Sequence, residues 1–70
     1  MLIKYFQDTD TVLVKLSDNE IVDTRDLDEN TLLEFDSDGK LVSITIEHAK
    51  ERANIANFSF QQVAITQSAA

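Results

Sequence analysis

Short stretches in which apolar and polar residues alternate recur along the first two thirds of the chain, and this pattern constrains the fold more than any other feature. Alternation with a period of two is typical of β-strands that bury one face. The pattern predicts five strands: one with Ile3 and Tyr5, one with Val12, Val14 and Leu16, one at 20–25 that is interrupted by Asp23 and Arg25 and suits a sheet edge, one with Leu33 and Phe35, and one with Val42, Ile44 and Ile46.

Aspartate and asparagine mark the breaks between these strands, because the chain has no proline and one glycine. Both residue types tolerate turn conformations and bond the nearby backbone. Asp8-Thr9-Asp10 and Asp18-Asn19 are predicted turns, and segment 36–39 is the strongest hairpin signal because Gly39 can supply a positive φ. Seven of the eight aspartates lie at predicted breaks, namely Asp8, Asp10, Asp18, Asp26, Asp28, Asp36 and Asp38.

The pattern changes after the fifth strand. Ala49, Ala53 and Ala56 recur at helical spacing and predict one short amphipathic helix. Segment 57–66 fits a sixth strand, an extended tail packed on the sheet, or a continued helix. The sequence therefore predicts an α+β fold: a small antiparallel β-meander of about five strands, one short helix after the fifth strand, and a C-terminal segment packing back on the sheet. One domain spans 1–66, and 67–70 form a frayed end.

Charge and composition exclude several functions. Thirteen acidic and six basic residues give a net charge of −7, which disfavours nucleic acid and anionic membranes as partners. No apolar stretch approaches the ~20 residues of a membrane span, so we expect a cytoplasmic protein. The absence of cysteine excludes disulfides and thiolate metal sites, and His48 is the one histidine. We therefore predict no cofactor, and oligomerisation remains the means of stabilising so small a core.

Two polar clusters are candidate sites. Glu34, Asp36, Asp38 and Gly39 match positions 1, 3, 5 and 6 of a calcium-binding loop, but Thr45 stands where the bidentate glutamate belongs. We therefore favour a hairpin and predict no metal.

Glu47 and His48 could act as a base and its orienting partner, with Ser43 and Thr45 preceding them on the same strand. A solvated polar strand face explains this second cluster better, and no catalytic residue is predicted. Phe58 and Phe60 are assigned to core packing rather than to base stacking, because no basic groove accompanies them.

Several motifs together resemble a known family. They read Ile3-Lys4-Tyr5, then the run from Asp10 to Leu16, then the run from Asp36 to Ile46, then Ala49-Lys50. In this order and spacing they are similar to the small bacterial domain-of-unknown-function family 2283, over about residues 3 to 52. Ser43 and Thr45 stand where that family has glycine and glutamate. The resemblance implies a small antiparallel β domain with a short helix and no established activity, and it suggests an antitoxin-like or other partner-binding role.

The functional prediction is a non-enzymatic protein-binding module with a small basic protein as its partner. The alternative is a small enzyme or ligand-binding protein that uses Glu47, His48 and the Asp36 and Asp38 carboxylates.

A homodimer is also predicted, because alternation leaves apolar side chains on the face opposite the core. Its predicted interface is Leu13, Leu32 and Leu41, with pairing of exposed strand edges as a second route. Residues from Phe58 to Ile65 folding back over that face would remove the need for a partner.

Overall fold

Five antiparallel strands form one sheet in the computed structural model, which describes residues 1–64. The strands are β1 (Leu2–Phe6), β2 (Thr11–Lys15), β3 (Asp23–Asp28), β4 (Thr31–Phe35) and β5 (Leu41–Glu47), and one helical turn, α1 (Ala49–Arg52), follows β5. The predicted antiparallel five-stranded sheet with a short helix after the fifth strand is confirmed. Across 1–64, no helix has the length and apolar character needed to cross a bilayer.

The strand order is β1-β2-β5-β4-β3, so the predicted meander is wrong. The longest strand, β5, lies between β2 and β4, and residues 16–22 carry the chain from β2 to the far edge of the sheet. The backbone N–H of Leu16 donates to the carbonyl of Val42 at 2.7 Å, and that of Val22 donates to Phe35 at 2.9 Å. A central position suits β5 because its apolar residues Val42, Ile44 and Ile46 need neighbours on both sides.

The third strand lies three residues later than predicted. Asp26 and Asp28 belong to β3 rather than to breaks, and the turn into β4 falls at Glu29 and Asn30. The Asp28 carboxylate fixes that turn by accepting the backbone N–H of Asn30 at 2.8 Å. Asp18-Asn19 lies in the crossover instead of closing a hairpin. The expected edge position of this strand is confirmed, because β3 ends the sheet and is exposed along its whole length.

Two predicted hairpins are confirmed. Residues 7–10 connect β1 to β2, and residues 36–40 connect β4 to β5. In the second hairpin the N–H of Asp36 donates to Lys40 at 2.9 Å and that of Gly39 donates to Asp36 at 3.0 Å. Gly39 has a φ of 77°, as the hairpin signal predicted.

Replacing Gly39 by alanine is expected to lower the free energy of unfolding by about 1 kcal/mol, because an L-residue is strained at this φ. No atom lies within 4 Å of an added Cβ, so steric clash makes no contribution. Asparagine tolerates this conformation better, and Gly39→Asn is expected to cost less. Urea unfolding of the two variants measures the difference. Equal stabilities for Gly39→Ala and the unaltered protein would contradict the assignment of backbone strain.

The register divides the sheet into two faces. Ile3, Val14, Ile44 and Leu33 lie opposite one another in one row, and Tyr5, Val12, Ile46 and Thr31 form the next, which together we call the inner face. The core is small: among residues 1–64, the buried apolar side chains are Val12, Val42 and Ala49.

The segment after α1 differs from the prediction. Ala56 lies outside the helix, and residues 53–64 form neither helix nor strand. Phe58 and Phe60 are 68% and 74% exposed, so their assignment to core packing is wrong. Packing of the C-terminal segment on the sheet is not confirmed by residues 57–64, which are exposed. Positions 65 and 66 and the predicted frayed end lie outside the described residues.

Candidate functional site

The Asp36 carboxylate organises the β4–β5 hairpin. The residue is 6% exposed, and Oδ1 accepts the backbone N–H groups of Asp38 and Lys40, both at 2.9 Å. Oδ2 accepts the side-chain amide of Asn19, also at 2.9 Å. The Asn19 bond and the Lys40 N–H hold the pKa of Asp36 below its usual value because they stabilise the charged form. The carboxylate thus joins the hairpin to the crossover.

The other members of the predicted calcium-binding pattern are spread apart. Glu34 accepts the hydroxyl of Ser43 across β4 and β5 at 2.7 Å, and Asp38 is exposed at the hairpin tip. Thr45 pairs with Leu13 and Leu32 in the middle of the sheet. Among residues 1–64 there is no group of three or more histidine, aspartate or glutamate side chains placed to hold a metal ion. The arrangement observed here is that of a hydrogen-bonded hairpin.

Glu47 and His48 lie at the opposite end of β5 from Asp36 and Asp38. Seven strand residues separate the two ends, which corresponds to about 20 Å. His48 is exposed, has a φ of 54° and precedes α1, where its side chain makes no capping bond. The hydroxyl of Ser43 bonds to Glu34 instead of facing this pair. The structure therefore does not bring the residues of the enzymatic alternative together.

Asp10 connects α1 to the sheet through hydrogen bonds, a role that the sequence did not indicate. Its carboxylate accepts the Tyr5 hydroxyl at 2.7 Å and the N–H of Lys50 at 3.2 Å, and its carbonyl accepts the N–H of Ala49 at 3.0 Å. The bond from Tyr5 to Asp10 raises the pKa of the phenol, because the carboxylate favours the protonated hydroxyl. Asp10 itself has a φ of 53°, which aspartate tolerates.

Arg52, the last residue of α1, connects the helix to the end of β3 and the start of β4. The guanidinium group makes a bidentate contact with Asp28, at 3.2 and 3.1 Å, and also donates to the hydroxyl of Thr31. The pKa of Asp28 is lowered by the N–H of Asn30 and further by Thr31 and Arg52. The helix and the β3–β4 turn are thereby joined although 24 residues separate Asp28 from Arg52.

An apolar groove runs between the β1–β2 half of the inner face and residues 49–59. Its volume is about 550 Å³, and its apolar lining includes Ile3, Val14, Ile55 and Phe58. A second depression of about 540 Å³ adjoins it, shares Ile3 and Phe58 with it, and adds Met1 and Phe60. An accessible apolar surface of this kind on a small domain is typical of a contact site.

Charge is divided between the two halves of the sheet. Residues 18–38, which contain β3 and β4 and which we call the acidic half, carry nine of the thirteen acidic residues and one of the six basic residues. The remaining positions carry four acidic and five basic residues. The surplus of negative charge therefore lies at one edge of the sheet, and the apolar groove lies beside the nearly neutral half.

The register of the strands brings together two of the three leucines of the predicted dimer interface. Leu13 and Leu32 lie in one row on either side of Thr45. Leu41 lies four residues before Thr45 on β5 and so belongs to a different row, where a register shift after Glu34 sets it opposite Phe35. All three leucines are half-buried, and their role in association stays a prediction.

Comparison with known proteins identifies a family and no activity. No curated protein and no solved structure matches the chain. A family model described as "Protein of unknown function (DUF2283)" matches residues 2–50, which cover all five strands and the start of α1. The resemblance seen in the strand and hairpin motifs is confirmed by that match. The chain therefore belongs to the DUF2283 family of proteins of unknown function.

Proposed function

We propose that this protein is a non-enzymatic protein-binding module whose acidic half receives a small basic protein. The observation that carries the proposal is the division of charge. Residues 18–38 contain nine acidic residues and one basic residue, and they include β3, the exposed strand at the edge of the sheet. Such a one-signed surface attracts an oppositely charged partner and raises its association rate by roughly 10- to 1,000-fold.

The edge strand β3 presents this charge to solvent. Within residues 1–64 it pairs with β4 alone, so one row of its backbone N–H and C=O groups faces outward. Asp26 and Glu29 are exposed and, in the described part of the chain, engage no side-chain hydrogen bond or ion pair. Leu27, 65% exposed between them, adds an apolar contact. A basic partner can therefore find both charge and an extended backbone at this edge.

Arg25, the single cation of the acidic half, is engaged locally. Its Nε donates to Asp23 at 2.9 Å, and its guanidinium carbon lies 5.3 Å from the centre of the Phe35 ring. The ion pair leaves one of the nine acidic residues neutralised within the half. From outside the half, Lys15 and Arg52 each pair with one more of its carboxylates. The remaining six carboxylates form no ion pair in the described part of the chain, and they keep the field of this edge negative.

In its specific form, the proposal is an antitoxin-like role in the cytoplasm, with the partner a small basic protein. Two reasons support this form of the proposal. The domain is negatively charged, and it belongs to the family whose resemblance suggested an antitoxin-like role. The separation of Asp36 and Asp38 from Glu47 and His48 supports binding over catalysis.

Association with the partner is expected to depend strongly on salt. A photo-crosslinking residue at position 27 identifies the protein that contacts β3 in the native host, and the same residue at exposed position 63 serves as the control. With the purified partner, we expect the on-rate in stopped-flow mixing to fall about tenfold between about 50 and 500 mM NaCl, because screening shortens the reach of surface charge. An on-rate that does not change with salt would contradict the proposal.

A further inference from the structure

We infer that a second copy of this chain covers the surface formed by Met1, Ile3, Phe58 and Phe60, with the two β1 strands running antiparallel about a two-fold axis at Ile3. We call these four residues the β1 patch. The inference goes beyond the proposed function, because it concerns the edge of the sheet opposite to the acidic half.

The β1 patch combines apolar exposure with unpaired backbone. Met1 is 82% exposed, Ile3 38%, Phe58 68% and Phe60 74%, and together the four residues line one depression. In the described part of the chain, β1 pairs with β2 alone, so its outer edge offers free N–H and C=O groups. An exposed apolar edge strand is the kind of surface that pairs with another strand.

The area is sufficient for a dimer. Aromatic side chains bury about 150–250 Å² each, so the exposed parts of Phe58 and Phe60, with Met1 and Ile3, offer roughly 500 Å² per copy. Two copies would then bury about 1,000 Å², which is near the lower limit for a specific interface, before the strand pairing is counted. The apolar groove adjoins the patch and extends the contact.

Charge identifies the partner as a second copy. A two-fold contact sets the same surface against itself, so it is disfavoured wherever net charge is high. The acidic half would repel its own copy, whereas the positions outside 18–38 carry four acidic and five basic residues. The β1 patch itself contains no charged side chain. Two copies can therefore meet through their β1 edges without strong repulsion between like charges.

Lys4 disfavours one register of the pairing, and the position of the β1 patch selects another. An axis at Lys4 would set two ammonium groups directly opposite each other, which is destabilising. An axis at Ile3 sets Lys4 opposite Leu2 of the second copy and places the β1 patch at the centre of the contact. The two acidic halves then lie at the far ends of one ten-stranded sheet, so the dimer presents two separate surfaces to basic partners.

Sedimentation equilibrium at about 50 µM tests the association. The unaltered protein is expected at twice the 7.9 kDa mass of one chain. The double variant Phe58→Gln/Phe60→Gln is expected near 7.9 kDa, and the control Leu27→Gln, a similarly exposed apolar residue on β3, is expected to remain dimeric. Circular dichroism checks that the variants fold. A monomeric unaltered protein would overturn the inference, as would a dimer that survives the double change and dissociates on Leu13→Glu.

A cysteine at the axis tests the geometry, since the chain has no cysteine of its own. Opposed residues of antiparallel strands have Cα atoms about 4.5 or 5.5 Å apart, which suits a disulfide. Oxidised Ile3→Cys is expected to form a cross-linked dimer, and Leu27→Cys at the same concentration is not. Equal cross-linking of both variants would overturn the axis at Ile3. A Phe58→Gln/Phe60→Gln protein that is monomeric yet binds the basic partner at an unchanged on-rate separates this inference from the proposed function.

Discussion

Val42→Ala is expected to lower the free energy of unfolding by about 2 kcal/mol, through lost burial and the cavity left behind. Val42 is 1% exposed, lies on the central strand β5, and is the largest fully buried side chain among residues 1–64. A domain of this length has a total stability of only about 3–10 kcal/mol, so the loss is a large part of the whole. Val42→Asp is expected to prevent folding, because it buries an unpaired carboxylate. Urea unfolding measures the first change and circular dichroism the second.

Val22→Ala is the matched control, because Val22 lies in the crossover and is 58% exposed. Its cost is expected to stay within about 0.5 kcal/mol. Equal losses for the two valine variants would mean that the core is not where the structure locates it.

Asp36→Ala is expected to lower the melting temperature by about 10 °C or more, because three hydrogen-bond donors lose their charged acceptor at once. The neighbouring Asp38→Ala is the control. Asp38 is exposed, and in the described residues its carboxylate accepts no hydrogen bond, so its replacement is expected to change the melting temperature by a few degrees at most. Thermal unfolding followed by circular dichroism compares the two variants, and similar losses would contradict the role of Asp36.

The same carboxylate predicts how stability depends on pH. The folded-state pKa of Asp36 is lowered, so its contribution is present above the unfolded value of 3.8 and is lost as the pH falls through the lower, folded-state pKa. Melting temperatures measured from about pH 7 down to 2 are expected to fall less steeply below about pH 4 in Asp36→Asn than in the unaltered protein. Asp28 and Asp18, whose pKa values are also lowered, remain in both proteins and contribute to the residual slope. Identical slopes would contradict the assignment.

Local signals were enough to predict four of the five strands and two of the turns, whereas the exposed strand β3 lies three residues later than predicted. The alternation at Val12 and Val14, and the glycine at position 39, each act within a few residues and needed no knowledge of the rest of the chain. The strand order depends on a competition between distant segments. β5 pairs with β2 across an intervening 25 residues, and nothing within 16–22 marks that segment as a crossover rather than a turn.

The candidate surfaces were harder to predict than the strands. The excess of acidic residues within 18–38 is visible in the sequence. That part of this segment forms an exposed edge strand, which a partner can reach, is known only from the structure. The sequence placed Asp36 in a hairpin rather than in a metal site, but it did not predict that its oxygens accept from Asn19 and from two backbone groups. Asn19 is 17 positions away, and no short motif connects the two residues.

The central claim, that the acidic half is the docking surface, is tested most directly by neutralising two carboxylates there and two elsewhere. Asp26→Asn/Glu29→Gln changes the acidic half, and Glu47→Gln/Glu51→Gln makes the same change of charge outside it; all four residues are exposed. The on-rate for the basic partner at low salt is expected to fall several-fold for the first pair and to change little for the second. Equal effects of the two pairs would show that net charge alone acts, and would contradict a docking surface at β3.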